Sequence, residues 1–139
     1  MLANILLWGS VAGLVHFMLI GLLYGNPIID RMYAQAVDHS PAVRRWSSKP
    51  RYLVTQFLGT QIEVFILTAA FLWLRSYASS SVLAALAIGA MLAAIRVYPR
   101  FWNMWIQTTY PRRLLAVEAI NGTIGTVAIA LFLQVGMTA

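Results

Sequence analysis

The chain has 139 residues, of which 60% are hydrophobic and only 10% charged, whereas a soluble domain carries about 25% charged residues. That deficit excludes an ordinary water-soluble domain and places the chain among membrane proteins. The net charge of +6 is not a nucleic-acid footprint, because nearly all the charges lie beside the ends of apolar segments, the pattern that orients a chain in a bilayer.

No cysteine is present, which excludes disulfides and thiolate metal sites. A bilayer-spanning helix needs about 20 apolar residues. The chain has room for four such helices and little else, so it reads as a single integral membrane domain.

The first span covers residues 2–24 and ends at Gly25-Asn26-Pro27. It is read as a span and not as a cleaved signal peptide. Its apolar run exceeds the usual core of about 7–15 residues, and no small-residue cleavage site follows. In the polar connection after it, Ile28, Ile29, Met32, Tyr33, Ala36 and Val37 recur at helical spacing, with Asp30, Arg31 and Gln35 between them. Pro27 suits a first helical turn, and the spacing predicts a short amphipathic helix in the headgroup region. Ser40-Pro41 repeats the cap-then-proline start and predicts one more turn over Ala42–Trp46.

The second span, residues 52–74, is long and apolar but carries a carboxylate, Glu63, near its middle. A charge at that depth is costly and needs a partner or a purpose. A short turn over Ser76–Ser80 makes spans two and three antiparallel neighbours. The third span begins near Ser81, and Pro99 leaves its end open: it runs over 81–98 if proline stops it, or 81–107 if proline only kinks it. Pro111-Arg112-Arg113 opens the fourth span, residues 112–135.

Basic residues set the orientation. Arg31, Arg44, Arg45, Lys49 and Arg51 lie in the first loop, and Arg100, Arg112 and Arg113 lie between spans three and four; the opposite side has only Arg75. Both loops are therefore expected in the cytoplasm and both termini outside. Pro50-Arg51-Tyr52-Leu53 and Pro111-Arg112-Arg113-Leu114 open spans two and four alike, a faint sign of a parallel repeat.

Each span carries small or polar residues on one helical face. The sets are Gly9, Ala12, Gly13 and His16; Gln56, Gly59, Thr60 and Glu63; Gly89, Leu92, Ala93 and Arg96; and Glu118, Asn121, Gly122 and Gly125. Lipid offers no partner to such polar groups, so these faces are expected to point inward. At a 1.5 Å rise per residue, His16 lies about 12 Å from the cytoplasmic end, Glu63 about 16 Å, Asn121 about 13 Å and Glu118 about 9 Å. If span three continues past Pro99, Arg96 is level with Glu63, and the two pair with His16, Glu118 and Asn121 completing one network. If Pro99 ends the helix, Arg96 snorkels and Glu63 turns to His16, Gln56 or protonation.

Two readings compete for this layer. In one, the groups are hydrogen-bonded glue, each contact contributing about 0.6–2 kcal/mol. In the other, they bind an ion or polar solute. Arg44, Arg45, Trp46, Lys49 and Arg51 form a basic-aromatic patch suited to anionic lipid headgroups. Asp38-His39 lacks further metal ligands and reads as a loop or capping pair. Phe101-Trp102-Asn103-Met104-Trp105 reads as interface anchoring. There is no nucleophile motif, HExxH, phosphate loop or paired haem histidines, so no catalysis, metal or cofactor is implied.

Leu23-Tyr24-Gly25-Asn26-Pro27 leaving span one, the aromatic Tyr33, and Arg112-Arg113-Leu114-Leu115 leading into Glu118–Gly122 together resemble a family of small four-span bacterial membrane proteins catalogued as a domain of unknown function. The resemblance implies a multi-pass protein of the bacterial inner membrane and carries over no functional residue. The expectation is an all-α, four-helix transmembrane bundle with a short interfacial helix between spans one and two. Its function is read as a homo-oligomeric transporter or channel-like protein using Glu63, His16 and Arg96, with Glu118, Asn121 and Gln56 nearby. The competing reading is an accessory subunit of a larger membrane complex.

Overall fold

The computed structural model describes residues 2–138, and the chain is all-α: α1 Leu2–Tyr24, α2 Pro27–His39, α3 Lys49–Arg75, α4 Val82–Gln107 and α5 Arg112–Gly136. Helices α1, α3, α4 and α5 are each long and apolar enough to cross a bilayer, while α2 is a 13-residue amphipathic helix between the first two of them.

Local chemistry sets the boundaries. The Gly25 amide still donates to the Gly21 carbonyl at 2.8 Å, and Asn26 then turns the chain out. The Asn26 side chain accepts from the Ile28 amide at 2.9 Å and Pro27 occupies the first turn, so the α2 start has its cap and its proline. Helix α3 begins three residues before the expected Tyr52, because Ser48 caps it and Pro50 fits its first turn. Ser81 caps α4 by accepting from the Ala84 amide at 3.1 Å.

Pro99 does not end α4, which continues to Gln107. Proline removes one backbone donor, a loss that spanning helices tolerate when neighbouring groups compensate. The helical turn expected at Ala42–Trp46 does not form. Only a turn closed by Val43 N–H to Ser40 O at 3.2 Å is present, followed by irregular chain. Two contacts explain it. The Arg44 guanidinium lies 4.6 Å from the Trp46 ring centroid, an i,i+2 contact that a helix does not permit. Arg45 reaches back to Asp38 at 2.5 Å.

The α4–α5 hairpin is the most extensive pairing, and α1 packs against both α3 and α5. The Gly9-x-x-x-Gly13 face of α1 takes α3 at close range: a side chain at Gly9 would strike the Phe65 ring, and one at Gly13 would overlap the Gln61 amide. Gln61 Nε2 donates to the Gly9 carbonyl at 3.0 Å, fastening the same contact.

The apolar core is displaced to one half of the bundle. Val64, Leu67 and Phe71 of α3, Ala85 and Ile88 of α4, and Ile129, Ala130 and Leu133 of α5 form it, with Ala12 of α1. All lie toward the end of the bundle that carries both described termini. In the other half, beside the basic loops, the helices stand apart around a cavity.

Candidate functional site

That cavity has a volume of about 980 Å³. Its walls come from the basic-end halves of α1, α3, α4 and α5, from α2, and from the linker through Arg44, Arg45 and Trp46. His16, Glu63 and Arg96 lie deepest along their helices, next to the apolar core.

Arg96 and Glu63 meet there. Arg96 donates from Nε to one carboxylate oxygen of Glu63 and from Nη2 to the other at 2.6 Å, a bidentate fork. The third nitrogen, Nη1, donates to Thr126 Oγ1 at 2.7 Å and approaches the Gly122 carbonyl at 3.5 Å. Thr126 is itself fixed by donating to Gly122 O at 2.8 Å. The pair is not sealed: the side chains of Arg96 and Glu63 are 23% and 40% exposed, and both residues line the cavity.

His16 stands beside the pair from α1 and is only 3% exposed. Its ring rests on the backbone of α5 at Gly125, where an added side-chain carbon would lie 2.5 Å from Cε1. Its Nδ1 has no hydrogen-bond partner among the described residues.

Glu118 belongs to a second cluster nearer the basic end. It accepts from the Tyr33 hydroxyl of α2 at 2.9 Å, from the Tyr110 hydroxyl, and from Arg100 at 3.4 Å. One carboxylate thus ties α2, α4, α5 and the α4–α5 connection together. Burial, reinforced by the adjacent Glu118 charge, pushes the Tyr33 phenol well above its ordinary range. Burial, with the Glu118 hydrogen bond, pushes the Tyr110 phenol up too.

The single network expected from the sequence is therefore two. Glu118 is eight residues before Thr126, about 12 Å along the axis at 1.5 Å per residue, which is too far toward the basic end to join Arg96. Asn121 is buried at 4% exposure with Nδ2 unpartnered among the described residues, and it does not bond to the pair. Gln56 lines the cavity but donates only to Thr60, at 3.3 Å. Three residues of the face expected to point inward on α3, Gln56, Thr60 and Glu63, line the cavity. Gly59 faces open space, and the buried positions are Val64, Leu67, Thr68 and Phe71. The α1 face Gly9, Ala12, Gly13 and His16 is buried throughout.

Thr126, Gln61, Tyr33 and Tyr110 act in ways the sequence pattern did not single out. Thr126 extends the α5 stripe by one turn beyond Gly122. Gln61 was detectable as a mid-span amide, which needs a partner in hydrocarbon. The tyrosines read as ordinary interfacial aromatics.

Beside the linker, a smaller cleft of about 300 Å³ is lined by Arg44, Arg45, Trp46, Ser47, Arg51 and Thr55. Lys49 of the basic patch lines the large cavity instead. Among the described residues no group of three or more His, Asp or Glu side chains is arranged to hold a metal ion.

No curated protein and no solved structure matches the chain. The family described as "Protein of unknown function (DUF1761)" matches residues 8–134, nearly the whole four-helix unit including both polar clusters, and the chain belongs to that family.

Proposed function

We propose that this multi-pass membrane protein is a small solute transporter whose cavity admits its cargo from the basic, cytoplasmic side and presents it to Glu63, Arg96 and His16. The observation that supports the reading most is that the only bidentate ion pair among the described residues stands at the floor of a cavity of about 980 Å³. A pair serving only as glue has no need of a wide approach. Ionisable groups facing a cavity within a membrane mark solute and ion pathways. Glu63 is the cargo-responsive carboxylate in this reading, Arg96 its counter-charge and His16 its neighbour for proton relay.

Basic residues flanking the cavity mouth support a cytoplasmic placement of that end, with both termini outside, in a bacterial inner membrane. The same residues, Arg44, Arg45, Lys49 and Arg51 with Trp46, are the proposed contacts to anionic headgroups. The site is built within one chain, so a homo-oligomer is not required to complete it. Self-association is supported separately by the apolar outer face of α3, where Gly59 leaves open space beside exposed Ile62 and Ile66.

The test is a flux assay in liposomes across a panel of ions and small polar solutes. The wild-type chain is expected to move at least one of them, and Glu63→Gln to abolish that movement; unchanged flux in the variant removes the reading. The accessory-subunit alternative is supported by the aromatic rim, where Tyr98 and Trp102 stack at 6.4 Å and are 63% and 50% exposed. Purification in mild detergent separates the two: a stoichiometric second protein favours the accessory role.

A further inference from the structure

Three properties of the cavity bear on what it takes. Its volume of about 980 Å³ lies at the top of the range of about 300–1,000 Å³ typical of pockets for organic small molecules. A bare or singly hydrated ion leaves most of it empty. Its walls are amphipathic, with Phe17, Ile20, Leu53, Val97 and Phe101 between the polar groups.

Its charge is unbalanced toward cations. Five cationic side chains line it against three carboxylates. Glu63 is taken by Arg96, Glu118 by Arg100 with two tyrosines, and Arg45 by Asp38 outside the lining, while Asp30 has no ion-pair partner among the described residues. At the mouth, Arg44 and Lys49 have no carboxylate within ion-pair reach among the described residues.

Arg96 is held in a particular way. Its Nη1 is anchored on α5 by Thr126 and Gly122, while Nε and Nη2 hold Glu63 from α3, across the cavity floor. Removing Glu63 therefore leaves the fork in place and pointing at α3, open to another carboxylate. Guanidinium forks match carboxylates and phosphates in the same bidentate geometry.

We propose that the cavity binds an amphipathic organic carboxylate that displaces Glu63 from Arg96, and that Glu63 takes up one proton as it is displaced. The inference rests on the transport reading for its biological use, but not for its test. The balance is simple. Before binding, one guanidinium faces one carboxylate. Afterwards the guanidinium faces the cargo's carboxylate, and Glu63 is a neutral acid carrying a proton drawn from solution. Without that proton, two carboxylates would share one cation at the partly desolvated floor, which like-charge repulsion opposes. The groups facing Glu63 are Arg96 from α4 and His16 from α1; α5 offers the neutral Thr126 hydroxyl, and Glu118 lies two turns nearer the mouth. Anion and proton then enter together and no net charge moves.

The test uses the purified full chain in detergent, with 1-naphthoate as the probe and 1-naphthalenemethanol and 1-naphthylmethylammonium as its neutral and cationic counterparts. Saturable binding of 1-naphthoate is expected, at least tenfold tighter than either counterpart. One proton should be taken up per anion in weakly buffered solution, and affinity should rise as pH falls. Glu63→Gln should bind the anion without proton uptake and without the pH slope, and Arg96→Gln should weaken binding at least tenfold. Absence of saturable binding, equal binding of the counterparts, no proton uptake by the wild type, or uptake persisting in Glu63→Gln each overturns the proposal. If Glu63→Gln does not fold, the wild-type proton count decides alone. Naphthoate binding with one proton, but no flux of any solute in liposomes, keeps this inference and removes the transport reading. Flux of solutes without any carboxylate binding does the reverse.

Discussion

Glu63 and Arg96 are 33 positions apart and on different helices, yet they meet fork to carboxylate at the boundary between a packed half-bundle and an open one. Because both are partly exposed, the pair is neither a free surface bridge nor a sealed interior one. Its contribution lies between those limits.

Breaking the pair from either side leaves a charge without its partner. Arg96→Gln is expected to destabilise the detergent-solubilised protein by about 1.5–3 kcal/mol, the worth of hydrogen bonds to a charged group. Arg96→Lys should recover only part of this, since an ammonium cannot make the fork and also reach Thr126. The double variant Glu63→Gln with Arg96→Gln should be more stable than the sum of the single losses by about 0.5–3 kcal/mol. Thermal unfolding followed by tryptophan fluorescence checks all three, and additive losses would show that the two side chains do not interact.

The chain has no cysteine, so introduced ones report position without background. Cysteines at Gln56 and Thr60, which line the cavity, should react with a charged thiol reagent. One at Thr68, which is 0% exposed, should not. In sealed membranes the reaction at Gln56 and Thr60 should occur only from the cytoplasmic side. Labelling from the outer side alone would reverse the orientation.

Gly13 and Gly125 are two of the glycines on which close contact between α1 and its neighbours depends. Gly125→Leu pushes against the His16 ring, and Gly13→Val against the Gln61 amide. Each is expected to cost about 1–3 kcal/mol by overpacking. Gly59→Ala faces open space and should lie within about 0.5 kcal/mol of wild type, as surface changes do. Unfolding midpoints of the three variants give the comparison.

Tyr33 and Tyr110 hold Glu118 through their hydroxyls. Tyr33→Phe should cost about 1 kcal/mol, the net worth of one hydrogen bond, and should speed hydrogen exchange over α2. The phenols also carry a pH signature. Both titrate above the ordinary value of 10.0 in the folded chain, so the folded state keeps protons that the unfolded state loses. Their contribution to stability is complete below pH 10 and is lost as pH rises above it. Absorbance titration should show fewer tyrosines ionising before unfolding in the wild type than in Glu118→Gln, where part of the cause is removed.

Much of the framework could be read from residue order. The four spans follow from apolar length, α2 from its spacing and the Asn26-Pro27 start, and the Glu63–Arg96 pairing from equal depth once α4 passes Pro99. Whether it passes was not legible, because a proline's effect depends on what surrounds the freed carbonyl. What the α3 stripe meets was hidden for a related reason. Gln56, Thr60 and Glu63 line a cavity and Gly59 faces open space, and a void leaves no mark on periodicity. The partition of one polar layer into two was hidden as well, since Tyr33 and Tyr110 look like membrane-surface aromatics until the chain brings their hydroxyls to Glu118.

The lopsided core gives the bundle the mechanics of a tuning fork. Its rods are clamped together near the termini and stand around the cavity at the basic end, where the Glu118 cluster and the short α4–α5 connection link the prongs. Pro99 lies within one of those prongs, where a missing backbone bond softens the rod. Any narrowing of the cavity thus has a built-in flexure on α4, just beyond Arg96, while the clamped end stays shut.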